Sequence, residues 1–120
     1  MKKLSLVFFL PIVALLISAN VRFAENVTGT WTMDVQTDMG SGSPTFVLKQ
    51  DDNGAISGTY SGQLGESAVK GTLKGNVIHL EFDIQGNLMQ YDGTVAGDTM
   101  KGKVKLGTIA EGTFSGKRKP

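Results

Sequence analysis

Between Gly58 and Phe114 the chain repeats one small unit, a glycine, a polar residue and then an apolar one. The copies are Gly58-Thr59-Tyr60, Gly71-Thr72-Leu73, Gly93-Thr94-Val95, Gly102-Lys103-Val104 and Gly112-Thr113-Phe114. Residues two apart in an extended strand point to the same face. Each copy therefore sets a glycine and an apolar side chain on one uncharged face, and a threonine or lysine on the other. The 16 glycines of the whole chain argue against long helices, because each weakens a helix interior by about 1 kcal/mol. An inward glycine in strand after strand suits a small barrel, whose strands bend hard and kink where a side chain would clash.

Turn signals recur about every ten residues from Asn26 onward, the spacing of a meander of short strands. Thr30 to Thr37 alternates Trp31, Met33 and Val35 with polar residues. Met39 to Pro44 reads as a polar, glycine-rich loop, and Phe46 and Leu48 share one face of the next strand. Asp51-Asp52-Asn53-Gly54 is a turn that opens the stretch Gly54 to Ser61, with Ile56, Gly58 and Tyr60 inward. After the loop Gly62 to Glu66, Val69, Gly71 and Leu73 face inward. Gly75-Asn76, Gln85-Gly86-Asn87 and Gly97-Asp98 join three further alternating segments, which carry Ile78, Leu80, Phe82 and Ile84, then Met89, Tyr91 and Val95, then Met100, Val104 and Leu106. A last strand offers Ala110, Gly112 and Phe114. The expected fold is all-β, an antiparallel up-and-down meander of about eight strands closed into a small barrel, because closure removes the sheet edges.

The first residues read differently. Met1-Lys2-Lys3 is basic, Leu4 to Ile17 is nearly all apolar and interrupted by Pro11, and Ser18 and Ala19 are small. This is the pattern of a secretory signal peptide over residues 1–19, with a single domain over 20–120. It predicts an extracytoplasmic protein, periplasmic or secreted, without a stable membrane anchor after cleavage. The chain has no cysteine, so no disulfide supports the fold. Loss of Lys2 and Lys3 leaves ten basic residues against 11 acidic ones, a balance that disfavours nucleic acid as a partner.

Val27-Thr28-Gly29-Thr30-Trp31 resembles the first strand of the avidin and streptavidin family, within the wider calycin group that includes lipocalins, and Gly29-x-Trp31 also matches the lipocalin opening. Asn53 to Ser61 is similar to the third streptavidin strand with its Gly-Thr-Tyr, and Thr113-Phe114-Ser115 with Lys117 is similar to the end of the last avidin strand. The resemblance implies a ligand site in the barrel. In it Tyr60 would stand where a tyrosine binds the biotin ureido oxygen, Thr37 near a serine donor, and Phe82 and Tyr91 at ligand-stacking positions. It also implies that biotin is not the ligand. Met33, Gly62 and Gly112 occupy places where a biotin binder has an asparagine, a serine and an aspartate, and each unmade buried hydrogen bond costs about 1–3 kcal/mol. By the same resemblance Trp31 has a structural role, closing one end of the barrel beneath Arg118 or Lys117.

Little in the sequence points to catalysis, and no enzyme activity or cofactor is expected. His79, Glu81 and Asp83 share an outward face with too few ligands for a metal, and Ser57 and Ser61 lack an inward base. Gly40-Ser41-Gly42-Ser43 is followed by no P-loop lysine. Lys101, Lys103 and Lys105 form a basic ridge, read as a solvated sheet face. Two functions stay open. One is a binding protein holding a small, mainly apolar molecule, with Tyr60, Tyr91, Phe82, Met33 and Thr37 as ligand contacts and the Met39 to Pro44 loop at the mouth. The other is a filled barrel that acts as a structural or protein-interaction module. Either allows a homo-oligomer.

Overall fold

The structure is a computed structural model that describes residues 25–120; the expected signal peptide lies outside the described residues. Nine strands form in chain order, β1 (Gly29–Thr37), β2 (Gly40–Gly42), β3 (Thr45–Gln50), β4 (Ala55–Gly62), β5 (Gly65–Lys74), β6 (Val77–Ile84), β7 (Asn87–Ala96), β8 (Thr99–Leu106) and β9 (Ala110–Arg118). Every pairing is antiparallel, each strand from β3 onward pairs with the next, and β1 pairs with both β3 and β9. The result is an eight-stranded up-and-down barrel, β1 and β3 to β9, with β2 as an extra piece on β1. At that strand number the interior is just wide enough to be filled by side chains or to hold one small ligand.

The predicted facing holds throughout. Trp31, Met33, Phe46, Leu48, Ile78, Leu80, Tyr91, Val95 and Phe114 are among the buried residues of one continuous core, while Val47 and Val77 stand exposed on the outer face. Aromatic rings fill the middle of the lumen. Phe46 meets Tyr60, Phe82 and Tyr91 edge-on at 5.1–5.8 Å between centroids, Tyr60 stacks on Phe82 at 4.4 Å, and Tyr91 leans on Phe114 at 5.0 Å.

The inward glycines act otherwise than by opening the lumen. A Cβ built on Gly58, Gly71, Gly93, Gly102 or Gly112 would run into the carbonyl oxygen of Val47, His79, Lys101, Asp92 or Gln36, each on an adjacent strand. The strands coil so tightly that backbone fills the space a side chain would take.

The stretch Met39 to Pro44 is not simply a loop. β2 folds back on the end of β1 with Val35 opposite Gly42, and this register runs without a step into that of β3, where Thr32 is opposite Thr45. β2 and β3 are thus one barrel strand broken at Ser43-Pro44. Proline has no N–H to give a ladder, but the Pro44 carbonyl still accepts a hydrogen bond from the Met33 N–H at 2.9 Å. On its other side β3 pairs with β4, whereas β2 pairs with β1 alone among the described residues. The wall therefore parts beside β2, at one end of the barrel.

Candidate functional site

The two barrel ends differ in chemistry. At one end Arg118, the last residue of β9, lies over the Trp31 ring with its guanidinium carbon 4.7 Å from the ring centroid. Its Nε donates to Asp98 Oδ1 at 2.9 Å, Nη1 to the carbonyls of Asn26 (2.7 Å) and Thr28 (2.9 Å), and Nη2 to the Gly97 carbonyl (2.9 Å). Trp31 Nε1 donates to the Val27 carbonyl at 2.8 Å, and Val27 N–H donates to Gln50 Oε1. Trp31 and Val27 are fully buried. This end is a plug, built by Trp31 and by Arg118 rather than Lys117. Lys117 falls on the alternate, outward side of β9.

The other end is open. A cavity of about 240 Å3 sits where the turns β1–β2, β4–β5 and β8–β9 meet, and β2 with Ser43 and Pro44 forms one wall. Tyr60, Tyr91, Met89 and Val35 line it from the barrel strands, Thr37 and Gln63 add polar atoms, and no charged side chain among the described residues contributes. Met39, Ile109 and Leu64 rim the cavity and are 70%, 54% and 40% exposed.

The residues expected at the site divide here. Tyr60, Tyr91 and Thr37 come together around the cavity. Met33 and Phe82 face the lumen as expected but do not line it. Met33 packs low in the barrel, its sulfur close to Gly116 and Met100. Phe82 is sandwiched in the aromatic layer against Tyr60 and Phe46. Alternation assigns a face and not a height, and strand tilt carries residues of adjacent strands to different levels of the lumen. Met89, Gln63, Leu64 and Ile109 join the cavity beyond the expected set; for Leu64 and Ile109 the available signal was an exposed apolar residue within a turn.

The two tyrosines have different surroundings. Burial raises the pKa of Tyr60 above the ordinary phenol value, and the Leu64 backbone amide acts in the opposite sense. The Tyr60 hydroxyl is also pressed against Gly62, where an added Cβ would come within 2.6 Å of it. Tyr91 is raised further, by burial first and by the neighbouring Tyr60 second. The Tyr91 hydroxyl has no hydrogen-bond partner among the described residues.

On the outer wall His79 bridges two carboxylates, Nδ1 to Asp92 at 2.6 Å and Nε2 to Glu81 at 2.8 Å. Both ring nitrogens are occupied, and no group of three or more His, Cys, Asp or Glu side chains among the described residues is arranged to hold a metal. Lys101, Lys103 and Lys105 all point outward from β8, as their spacing predicts. No family model matches the chain, and no curated protein matches it either.

Proposed function

We propose that the protein is an exported carrier or sequestering protein which holds one small, uncharged, mainly apolar molecule in the open end of its barrel. The observation that carries this reading is the cavity of about 240 Å3, uncharged in its lining and rimmed by exposed Met39, Leu64 and Ile109. A cavity somewhat below the roughly 300 Å3 of ordinary ligand pockets suits a molecule of about ten to a dozen heavy atoms. Such a ligand gains roughly 25 cal/mol for each Å2 of apolar surface it removes from water, whereas a charged one would be buried without a counter-charge. The resemblance of Gly29-x-Trp31 and Gly58-Thr59-Tyr60 to avidin and lipocalin strands favours the same general role, with Met33, Gly62 and Gly112 weighing against biotin. Among the described residues, the ionisable side chains on the cavity wall are tyrosines whose pKa values burial has raised, which favours binding over catalysis. Export rests on Lys2, Lys3 and the apolar run after them, and the intact mass of the secreted chain, expected to begin at Asn20, is its test.

Four methionine methyl groups make the carrier reading measurable. Met39 and Met89 line the cavity, while Met33 and Met100 pack together deep in the barrel. With 13C-labelled methionine methyls, saturable shifts of Met39 and Met89 are expected on titration with neutral bicyclic aromatics such as 2-methylnaphthalene, and little change at Met33 and Met100. No saturable shift across a panel of neutral molecules of this size would defeat the proposal. A second reading, a protein-interaction module, draws on the aromatic layer that fills the middle of the lumen, and that negative result would favour it.

A further inference from the structure

We propose that the cavity selects ligands bearing one uncharged hydrogen-bonding group, and that the hydroxyl of Tyr91, a buried residue of the cavity wall, is the group that reads it. This rests on the carrier reading above and adds the ligand's class and orientation. Tyr91 is 2% exposed. Its ring packs against Phe46 at 5.1 Å, Phe114 at 5.0 Å and Phe82 at 5.9 Å between centroids, which holds the side chain in the aromatic layer. Buried polar groups in folded proteins nearly always have a partner, and at the plugged end this holds, where Trp31 Nε1 donates to the Val27 carbonyl. Tyr60 has the Leu64 amide beside it. The Tyr91 hydroxyl is without a partner among the described residues, yet its residue borders the cavity.

A phenol hydroxyl can both donate and accept, so a ligand hydroxyl, carbonyl or ether oxygen would satisfy it. The exposed rim of Met39, Leu64 and Ile109 suits the apolar body of the same molecule. The ligand thus enters polar end first, with its hydrocarbon part among the rim side chains. With no charged side chain of the described residues in the lining, a carboxylate or ammonium in the cavity would have no counter-ion there and is excluded.

The test compares 2-naphthol, 2-methylnaphthalene and 2-naphthoate at pH 7 against the wild type, Tyr91→Phe and Tyr60→Phe, by calorimetry and methionine-methyl shifts. Tyr91→Phe keeps the ring and removes one atom that no other described residue holds, so the fold is expected to survive. It should weaken 2-naphthol about tenfold, or about 1.4 kcal/mol, and leave 2-methylnaphthalene unchanged or slightly tighter. Naphthoate should bind the wild type at least about a hundredfold more weakly than naphthol. Equal effects of Tyr91→Phe on naphthol and methylnaphthalene would overturn the inference while leaving the carrier reading standing. A selective naphthol loss in Tyr60→Phe alone would overturn the assignment to Tyr91, and naphthoate binding as tightly as naphthol would overturn the restriction to uncharged groups. Failure of all three probes to bind the wild type would overturn this inference together with the carrier reading.

Discussion

The plugged end and the open end of this barrel solve opposite problems with the same strands. At the plug, Arg118 gathers four hydrogen bonds and an indole face, and the indole N–H and the Val27 N–H both have acceptors. At the mouth, large apolar side chains stand in water, a strand detaches from its neighbour and a buried hydroxyl goes without a partner among the described residues. Polar satisfaction concentrates where the chain's first and last strands must be joined, and its shortage concentrates where a small molecule has room to enter. A folded chain tolerates such a shortage when the rest of the structure supplies the stability.

If stability is carried by the plug, its removal should be the most damaging single change. Arg118→Ala is expected to cost about 3 kcal/mol. Hydrogen bonds from a charged donor contribute roughly 1.5–3 kcal/mol and the indole contact about 0.5–2 kcal/mol, and the sum is reduced because water reaches several of the freed carbonyls. The ion pair itself adds little, since the Asp98 side chain is largely exposed. Ile109→Ser at the mouth should change stability by no more than about 0.5 kcal/mol. Urea unfolding of both variants decides the matter, and a mouth substitution as costly as the plug substitution would erase the contrast.

A smaller effect, about 2–3 kcal/mol, is expected from Gly93→Val, because its Cβ would meet the Lys101 carbonyl and the Gly102 Cα, and overpacking of this kind typically costs about 1–3 kcal/mol. Thr94→Val next to it faces outward and should stay within about 0.5 kcal/mol. Matching denaturation midpoints for the two would contradict the tight strand approach. The pair also marks how far the sequence could be read. Glycine-x-apolar repeats revealed the strands, their facing and their closure, because a period of two is set by backbone geometry. They did not reveal that the neighbouring carbonyl occupies the missing side chain's place, which depends on how far the strands coil.

Other features were legible or hidden for equally local reasons. The resemblance of Gly29-x-Trp31 to the lipocalin opening implies a basic partner for Trp31, Arg118 or Lys117, and alternation along β9 leaves that place to Arg118. Met33 and Phe82 lie on the inward face that alternation predicts but away from the cavity, since height in the lumen depends on strand tilt, which alternation does not carry. β2 has three residues, Gly40, Ser41 and Gly42, too few and too polar for alternation to show. Tyr91 was visible as an inward tyrosine, but its lack of a partner depends on the whole surrounding layer.

The smallest effect lies on the wall between the two ends, and it depends on pH. The hydrogen bonds from His79 to Glu81 and to Asp92 raise its pKa above the ordinary 6.5, in that order of importance, and partial burial opposes them. Both nitrogens donate only when the ring is protonated, so the bridge from β6 to β7 belongs to the imidazolium. A raised folded pKa means that the folded state binds the proton more tightly than the unfolded chain. The contribution is therefore fully present below the unfolded value near 6.5 and is lost as the pH rises through the higher folded value. Across the sheet, Lys70 lies 3.9 Å from Glu81 Oε2, Thr72 stands opposite His79, Gln90 opposite Glu81, and Lys103 opposite Asp92. The His79 side chain is 32% exposed and that of Asp92 62%, so solvent screening limits the effect to about 0.5 kcal/mol. Wild type should lose that much more stability than His79→Gln between pH 6 and pH 8.5, a range above ordinary carboxylate titration, and the difference should shrink in 0.5 M salt, taken as a strongly screening concentration of about that size. Parallel stability profiles for the two proteins over this range would show that the bridge contributes nothing, and would leave the plug as the sole electrostatic anchor tested in the barrel.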